Sequence, residues 1–147
     1  MASPEILDPY LIPETSVLRN LVCATSTTEL VVAEADLSFA RALQLLDFPV
    51  AATNGLEELK GIHLHLFQDV YDWAGQLRSV DVRKEAPGAE FFMPWSYIES
   101  AAAIYFGDLV AERFLVGLSR EAFVERLAFH YEKVTGARHL STRELSD

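Results

Sequence analysis

Residues 63–78, HLHLFQDVYDWAGQLR, decide how this chain is read. Leu59 and Ile62 join Leu66, Phe67 and Val70 at helical spacing, which predicts one helix running through Trp73. Asn54 stands three residues before Glu57 and is the expected N-cap of that helix. Gly75 suits its C-terminus, because glycine takes the left-handed conformation without a Cβ penalty. The pattern then changes. Val80 and Val82 alternate with polar neighbours, Pro87-Gly88 is a turn signal, and Phe91-Phe92-Met93 is apolar again. That stretch predicts a short β-hairpin projecting from a helical body.

Outward from this block, three more helices are marked by their ends. Ser26 with Glu29 fits a capping box, and Leu30, Ala33, Leu37, Ala40 and Leu43 are the expected inward face of a helix ending near Asp47. Ser96 with Glu99, after Pro94, is a second capping box and predicts a helix through about Phe114. Ser119 is the expected cap of a fourth helix, with Phe123, Leu127 and His130-Tyr131 on one side and Gly136 at its end. Residues 1–20, with Pro4, Pro9 and Pro13, read as an arm held by Tyr10, Leu11 and Ile12. Residues 21–147 read as one all-α domain with one β-hairpin.

Composition narrows the function classes. Half of the 147 residues are hydrophobic and 23% are charged, as in an ordinary globular domain. No apolar run approaches the roughly 18 residues that span a bilayer, and the first residues lack a signal peptide's basic and apolar regions. Cys23 is the single cysteine, which excludes an internal disulfide framework, fits a reducing cytoplasm and reads as a small packed side chain. Net charge is −10, and the basic residues are scattered, with Arg83-Lys84 the one adjacent pair. Nucleic acid is therefore a poor ligand, whereas a basic protein partner or a magnesium-bound nucleotide is compatible with the charge.

His63, His65 and Asp69 have the look of a metal set. On a helix, however, side chains two residues apart diverge by about 200°, so His63 and His65 cannot hold one ion. His65 and Asp69 share a face but are too few for a closed site. The residues give one core-edge histidine, one surface pair and no metal.

The order Leu66-Phe67-x-Asp69-x-Tyr71-x-Trp73-Ala74-Gly75-x-Leu77-Arg78 closely resembles the Fic family signature, a helix ending in Trp-Ala-Gly and leading to an Arg-bearing strand. Lys84 and Phe91 or Phe92 resemble the Lys and Phe that follow it, and the likeness extends over roughly residues 10–135. The resemblance implies a Fic-like helical fold whose hairpin, the flap, holds a segment of a target protein as an added strand. Val80, Val82, Lys84, Phe91, Phe92 and Met93 are then the target-contacting residues. It also implies transfer of AMP from ATP, with Mg2+, to a protein Ser, Thr or Tyr hydroxyl, in a toxin-like protein of the cytoplasm or one delivered to another cell.

The family's catalytic motif is His-x-Phe-x-(Asp/Glu)-Gly-Asn-Gly-Arg-x-x-Arg. Its His takes the hydroxyl proton, its acidic residue holds magnesium, and its Gly-Asn-Gly loop cradles phosphates with backbone N–H groups. By resemblance, His139 lies within one residue of where the catalytic base belongs, and Arg143 resembles the final, nucleotide-contacting arginine. The two cannot fill both roles, since the family separates them by eleven positions and here they lie four apart. The acidic ligand and the Gly-Asn-Gly stretch have no counterpart, so the motif is expected to be degenerate or truncated. Family members are often restrained by (Ser/Thr)-x-x-x-Glu-(Gly/Asn). Thr25-x-x-x-Glu29 has that spacing, but Leu30 follows it, and the helix-cap reading is the simpler one; an inhibitor is then a separate antitoxin-like protein.

Three functional readings follow: a Fic-type AMP transferase with weak or no turnover, a catalytically dead Fic-fold binding module, and an unrelated helical domain. Faces of the second and fourth helices are expected to lie uncovered, which favours a homodimer.

Overall fold

The computed structural model describes residues 8–82 and 92–137. Four α-helices follow in order: α1 Thr27–Asp47, α2 Leu56–Phe67, α3 Ile98–Ala111 and α4 Arg120–Ala137. Single 3-10 turns at Trp95–Tyr97 and Arg113–Leu115 precede and follow α3. The chain divides into two compact units, one from Met1–Val50 with Ile62–Gly75, the other from Ala51–Gly61 with Gln76–Asp147.

In the first unit, α1 begins as its sequence requires. The Ser26 side chain accepts from the Glu29 N–H, while the Glu29 carboxylate accepts from the Thr25 and Ser26 N–H groups. Those backbone donors hold the Glu29 carboxyl below its ordinary range, and the whole Thr25–Glu29 motif is used as a helix cap. Val17, Leu18, Ala24, Leu30, Val70, Tyr71 and Trp73 form the core cluster. Tyr10, Leu11 and Ile12 pack against it, and an antiparallel bridge between Leu11 and Leu18 folds the arm back on itself.

The inward face of α1 differs from the expected one. Leu30 is buried and Ala33 and Leu37 are half-buried, but Ala40 and Leu43 are exposed. A 3.6-residue period carries the inner face to Glu34, Arg41 and Leu45 instead. Two polar anchors fix that rotation: Tyr71 donates to Glu34, and Arg41 binds Asp69 through two nitrogens at 2.6 and 2.9 Å. Cys23, expected to be packed, is exposed and has φ of 59°.

The second helix also departs from expectation at both ends. Asn54 is left-handed (φ 53°) and caps nothing; the Glu58 carboxylate instead reaches back to the Thr53 and Asn54 N–H groups. The helix stops at Phe67 rather than Trp73. Val70 N–H turns back to the Phe67 carbonyl at 2.9 Å, and the Val70 carbonyl accepts from the distant Leu21 N–H at 2.8 Å. A long-range backbone bond has replaced the helical one.

In the second unit, α3 lacks the Ser96 cap, since a 3-10 turn ends on Tyr97, which offers no side-chain bond. It ends at Ala111, not Phe114. Ser119 does cap α4, its Oγ accepting from the Ala122 N–H at 3.3 Å, and the helix runs to Ala137, one residue past Gly136. Arg126 binds the Glu112 carboxylate and Lys133 binds Asp108 at 3.1 Å, so two ion pairs fasten α4 to the end of α3. His130 is buried, with Nε2 3.3 Å from Glu112 Oε2 but off the hydrogen-bonding direction. Phe123, Leu127 and Tyr131 are exposed while His130 is buried, so part of α4 lies uncovered, as expected of it.

Candidate functional site

The decisive block folds as a turn rather than a helix end. Tyr71, Trp73 and Ala74 are buried. The Tyr71 and Trp73 rings stack at 4.8 Å, Tyr10 meets Trp73 edge-on at 5.1 Å, and the Arg19 guanidinium lies over the indole at 5.4 Å. Gly75 is left-handed (φ 76°), but it closes a turn eight residues past the end of α2 rather than the helix C-terminus expected of it, and its N–H donates to His63 Nδ1 at 2.9 Å. Burial lowers the His63 pKa to about 4, so the ring is neutral and can accept that proton. His65 faces another way, with Nε2 3.1 Å from the Arg41 carbonyl.

Beyond Gly75 the chain reaches Arg78, a buried cation among the described residues. Its Nη1 donates to the Val80 carbonyl at 2.8 Å, and its Nη2 donates to the Met93 carbonyl. Asp81 lies 3.7 Å from the same guanidinium and accepts from the Trp95 N–H at 2.8 Å. Phe92 N–H donates to the Val82 carbonyl at 2.9 Å. Together these bonds draw the two limbs of the expected hairpin to one place. A planar fork of N–H donors suits the task, since one side chain can serve two carbonyls that a ladder would otherwise pair.

Of the expected flap residues, Val80, Val82, Phe92 and Met93 stand half-buried at this base. Lys84 and Phe91 lie outside the described residues, and no β-strand is assigned to the described part of either limb. His139 and Arg143 also lie outside, beyond the described end of α4. The bridging role of Arg78 was not anticipated; its sequence signal was only its place as the arginine after Trp73-Ala74-Gly75-x-Leu77. Among the described residues no group of three or more His, Cys, Asp or Glu side chains is placed to hold a metal ion, and no helix is long and apolar enough to cross a membrane.

No family model matches the chain. A probable protein adenylyltransferase Fic from Salmonella typhimurium is 40% identical over 124 residues, covering 84% of this chain and 60% of that protein. The chain belongs to the Fic domain family. The protein adenylyltransferase VbhT of Bartonella schoenbuchensis is 33% identical over 123 residues, 84% of this chain and 25% of that protein. Among solved structures, the Fic domain of the Bep8 effector from Bartonella sp. 1-1C superposes with a TM-score of 0.81 at 22% identity, covering 90% of this chain and 67% of that one. A Fic domain from Bartonella quintana with bound ADP gives 0.80 at 21% identity, covering 94% and 70%. The helical Fic fold is thereby matched. This chain spans about 60% of the length of the Salmonella relative.

Proposed function

We propose that this Fic-family chain acts on a segment of a target protein held at the base of the 78–93 flap, with AMP transfer from ATP as the chemistry of its ancestry. The observation that carries the reading is the 40% identity, over 84% of the chain, to a protein named as an adenylyltransferase. Arg78 supports the flap part of it, because its guanidinium binds one carbonyl on each limb, Val80 and Met93, and so holds together the hairpin that an added strand would need.

Residues 131–147 do not fit ATP and magnesium as the family binds them. They contain no Gly-Asn-Gly to cradle phosphates, and no acidic residue follows His139 at the motif's spacing. The chain is accordingly proposed to turn over weakly or not at all, and no transfer step is assigned to His139 or Arg143. This misfit favours the second reading, a Fic-fold module that binds its target or an antitoxin-like partner without chemistry. With Glu29 used in its helix cap, the Thr25–Glu29 segment gives no support to self-restraint, and an antitoxin-like inhibitor stays part of the proposal.

The test is incubation of the purified chain with cell lysate, magnesium and ATP labelled at the α-phosphate, beside a His139→Ala control. The expected result is no label on protein. Label that disappears in the control would restore the transferase reading and refute inactivity.

A further inference from the structure

The outer face of α1 carries a message of its own. Val32, Phe39, Leu43 and Leu46 are 57%, 66%, 50% and 80% exposed. At 100° per residue they fall within about 60° of arc, one continuous stripe along more than three turns. Scattered exposed apolar residues are ordinary, but an aligned stripe of large ones on a single helix is the pattern of a contact surface.

The stripe has a charged edge. Asp36 and Asp47 follow it on one flank within about another 40°, and neither makes an ion pair among the described residues. The helix contains a single cation, Arg41, which projects from the opposite side and is held by Asp69. Glu34 is likewise turned inward to Tyr71. The inner side of α1 thus uses its polar residues internally, while the outer side offers apolar surface beside carboxylates that have no internal partner.

We propose that this face seats a basic amphipathic helix of a partner protein. Apolar residues of the partner at i, i+3, i+4 and i+7 cover the stripe, and its lysines or arginines on one edge meet Asp36 and Asp47. A second copy of the chain fits less well. Two such helices packed antiparallel about a two-fold axis bring their acidic flanks together, in a chain whose net charge is already −10. The proposal is independent of the catalytic reading, because every residue it uses lies on α1.

The experiment uses three labelled peptides of about 18 residues: leucines at helical spacing among lysines, the same leucines among glutamates, and a scramble of the lysine peptide. Fluorescence anisotropy with the full chain should show binding of the ordered lysine peptide alone. Phe39→Glu with Leu43→Glu should weaken it at least about tenfold. Simple charge attraction would instead grow stronger, since both changes add negative charge. Asp36→Lys with Asp47→Lys should transfer the preference to the glutamate peptide. Leu46→Ser repeats the apolar test with no change of charge, and circular dichroism checks that each variant keeps its helices. Equal binding of the scramble, or no binding of the ordered lysine peptide, would overturn the proposal. So would a dimer in sedimentation that the Phe39 and Leu43 changes dissociate, which would name a second copy as the occupant.

Discussion

Gly75 N–H donates to His63 Nδ1 at 2.9 Å, and this bond joins the body of α2 to the turn that leads into the flap. It requires a neutral imidazole, because a protonated ring has no acceptor. The fold keeps the pKa near 4, whereas an unfolded histidine titrates near 6.5. The unfolded chain therefore binds the proton first as pH falls. His63 contributes its full stability above about pH 6.5 and loses it progressively down to about pH 4. The loss between pH 7.5 and 5 is roughly 2 kcal/mol. Urea unfolding at several pH values should show that slope in the native chain, and His63→Leu should flatten it.

Arg78 should be the least replaceable residue of the flap base. Arg78→Met leaves the Val80 and Met93 carbonyls without their guanidinium donor and costs about 3 kcal/mol. Arg78→Lys keeps the charge but lacks the fork, so it should recover only part of the loss. Hydrogen exchange at the Phe92 amide, bonded to the Val82 carbonyl, reads the local effect: exchange should accelerate in both variants, more in Met. Unchanged protection would show that the limbs are held without Arg78.

What the sequence made legible follows from how local each signal is. The Ser26–Glu29 cap and the Ser119 cap are each written within four residues, and both are found, whereas the equally local Asn54 and Ser96 caps are displaced by a left-handed turn and a 3-10 turn. The end of α2 was not readable, because Val70, Tyr71 and Trp73 continue an apolar helical period. What stops the helix is a bond from Leu21, far away in the chain. Arg113, Phe114 and Leu115 gave no turn signal either, yet all three are left-handed. Of the candidate site, the Trp73-Ala74-Gly75-x-Leu77-Arg78 block was legible as a resemblance, and the structure buries Trp73, Ala74 and Arg78 of it. The use of Arg78 as a bridge between two carbonyls depends on residues fifteen positions apart, beyond the reach of any periodicity.

Tyr71 links the same block to α1. Its hydroxyl donates to Glu34, and burial first, with Glu34 adding to it, pushes its pKa far above the usual phenol range. With the folded value raised, Tyr71 contributes fully below about pH 10 and loses that contribution as pH rises past it. Absorbance titration should find this phenol resisting ionisation until the chain unfolds. Tyr71→Phe removes the donor from a half-buried carboxylate and should cost about 1 kcal/mol, with Glu34→Gln partly restoring stability in that background.

The corner between α3 and α4 permits an opposite kind of prediction, a substitution that stabilises. Arg113, Phe114 and Leu115 have φ of 53°, 52° and 61°, a conformation that costs a residue with a Cβ roughly 1 kcal/mol or more. Arg113 is exposed and Leu115 is buried, so the two positions separate backbone strain from packing. Arg113→Gly relieves the strain and loses no core contact. After the extra freedom glycine gives the unfolded chain, it should raise stability by about 0.5 kcal/mol. Leu115→Gly relieves the same strain but forfeits a buried leucine, and should lower stability by about 2 kcal/mol or more. Thermal unfolding of the two variants beside the native chain decides the matter. If Arg113→Gly is destabilising, the left-handed corner is held by contacts of the arginine side chain rather than imposed on it.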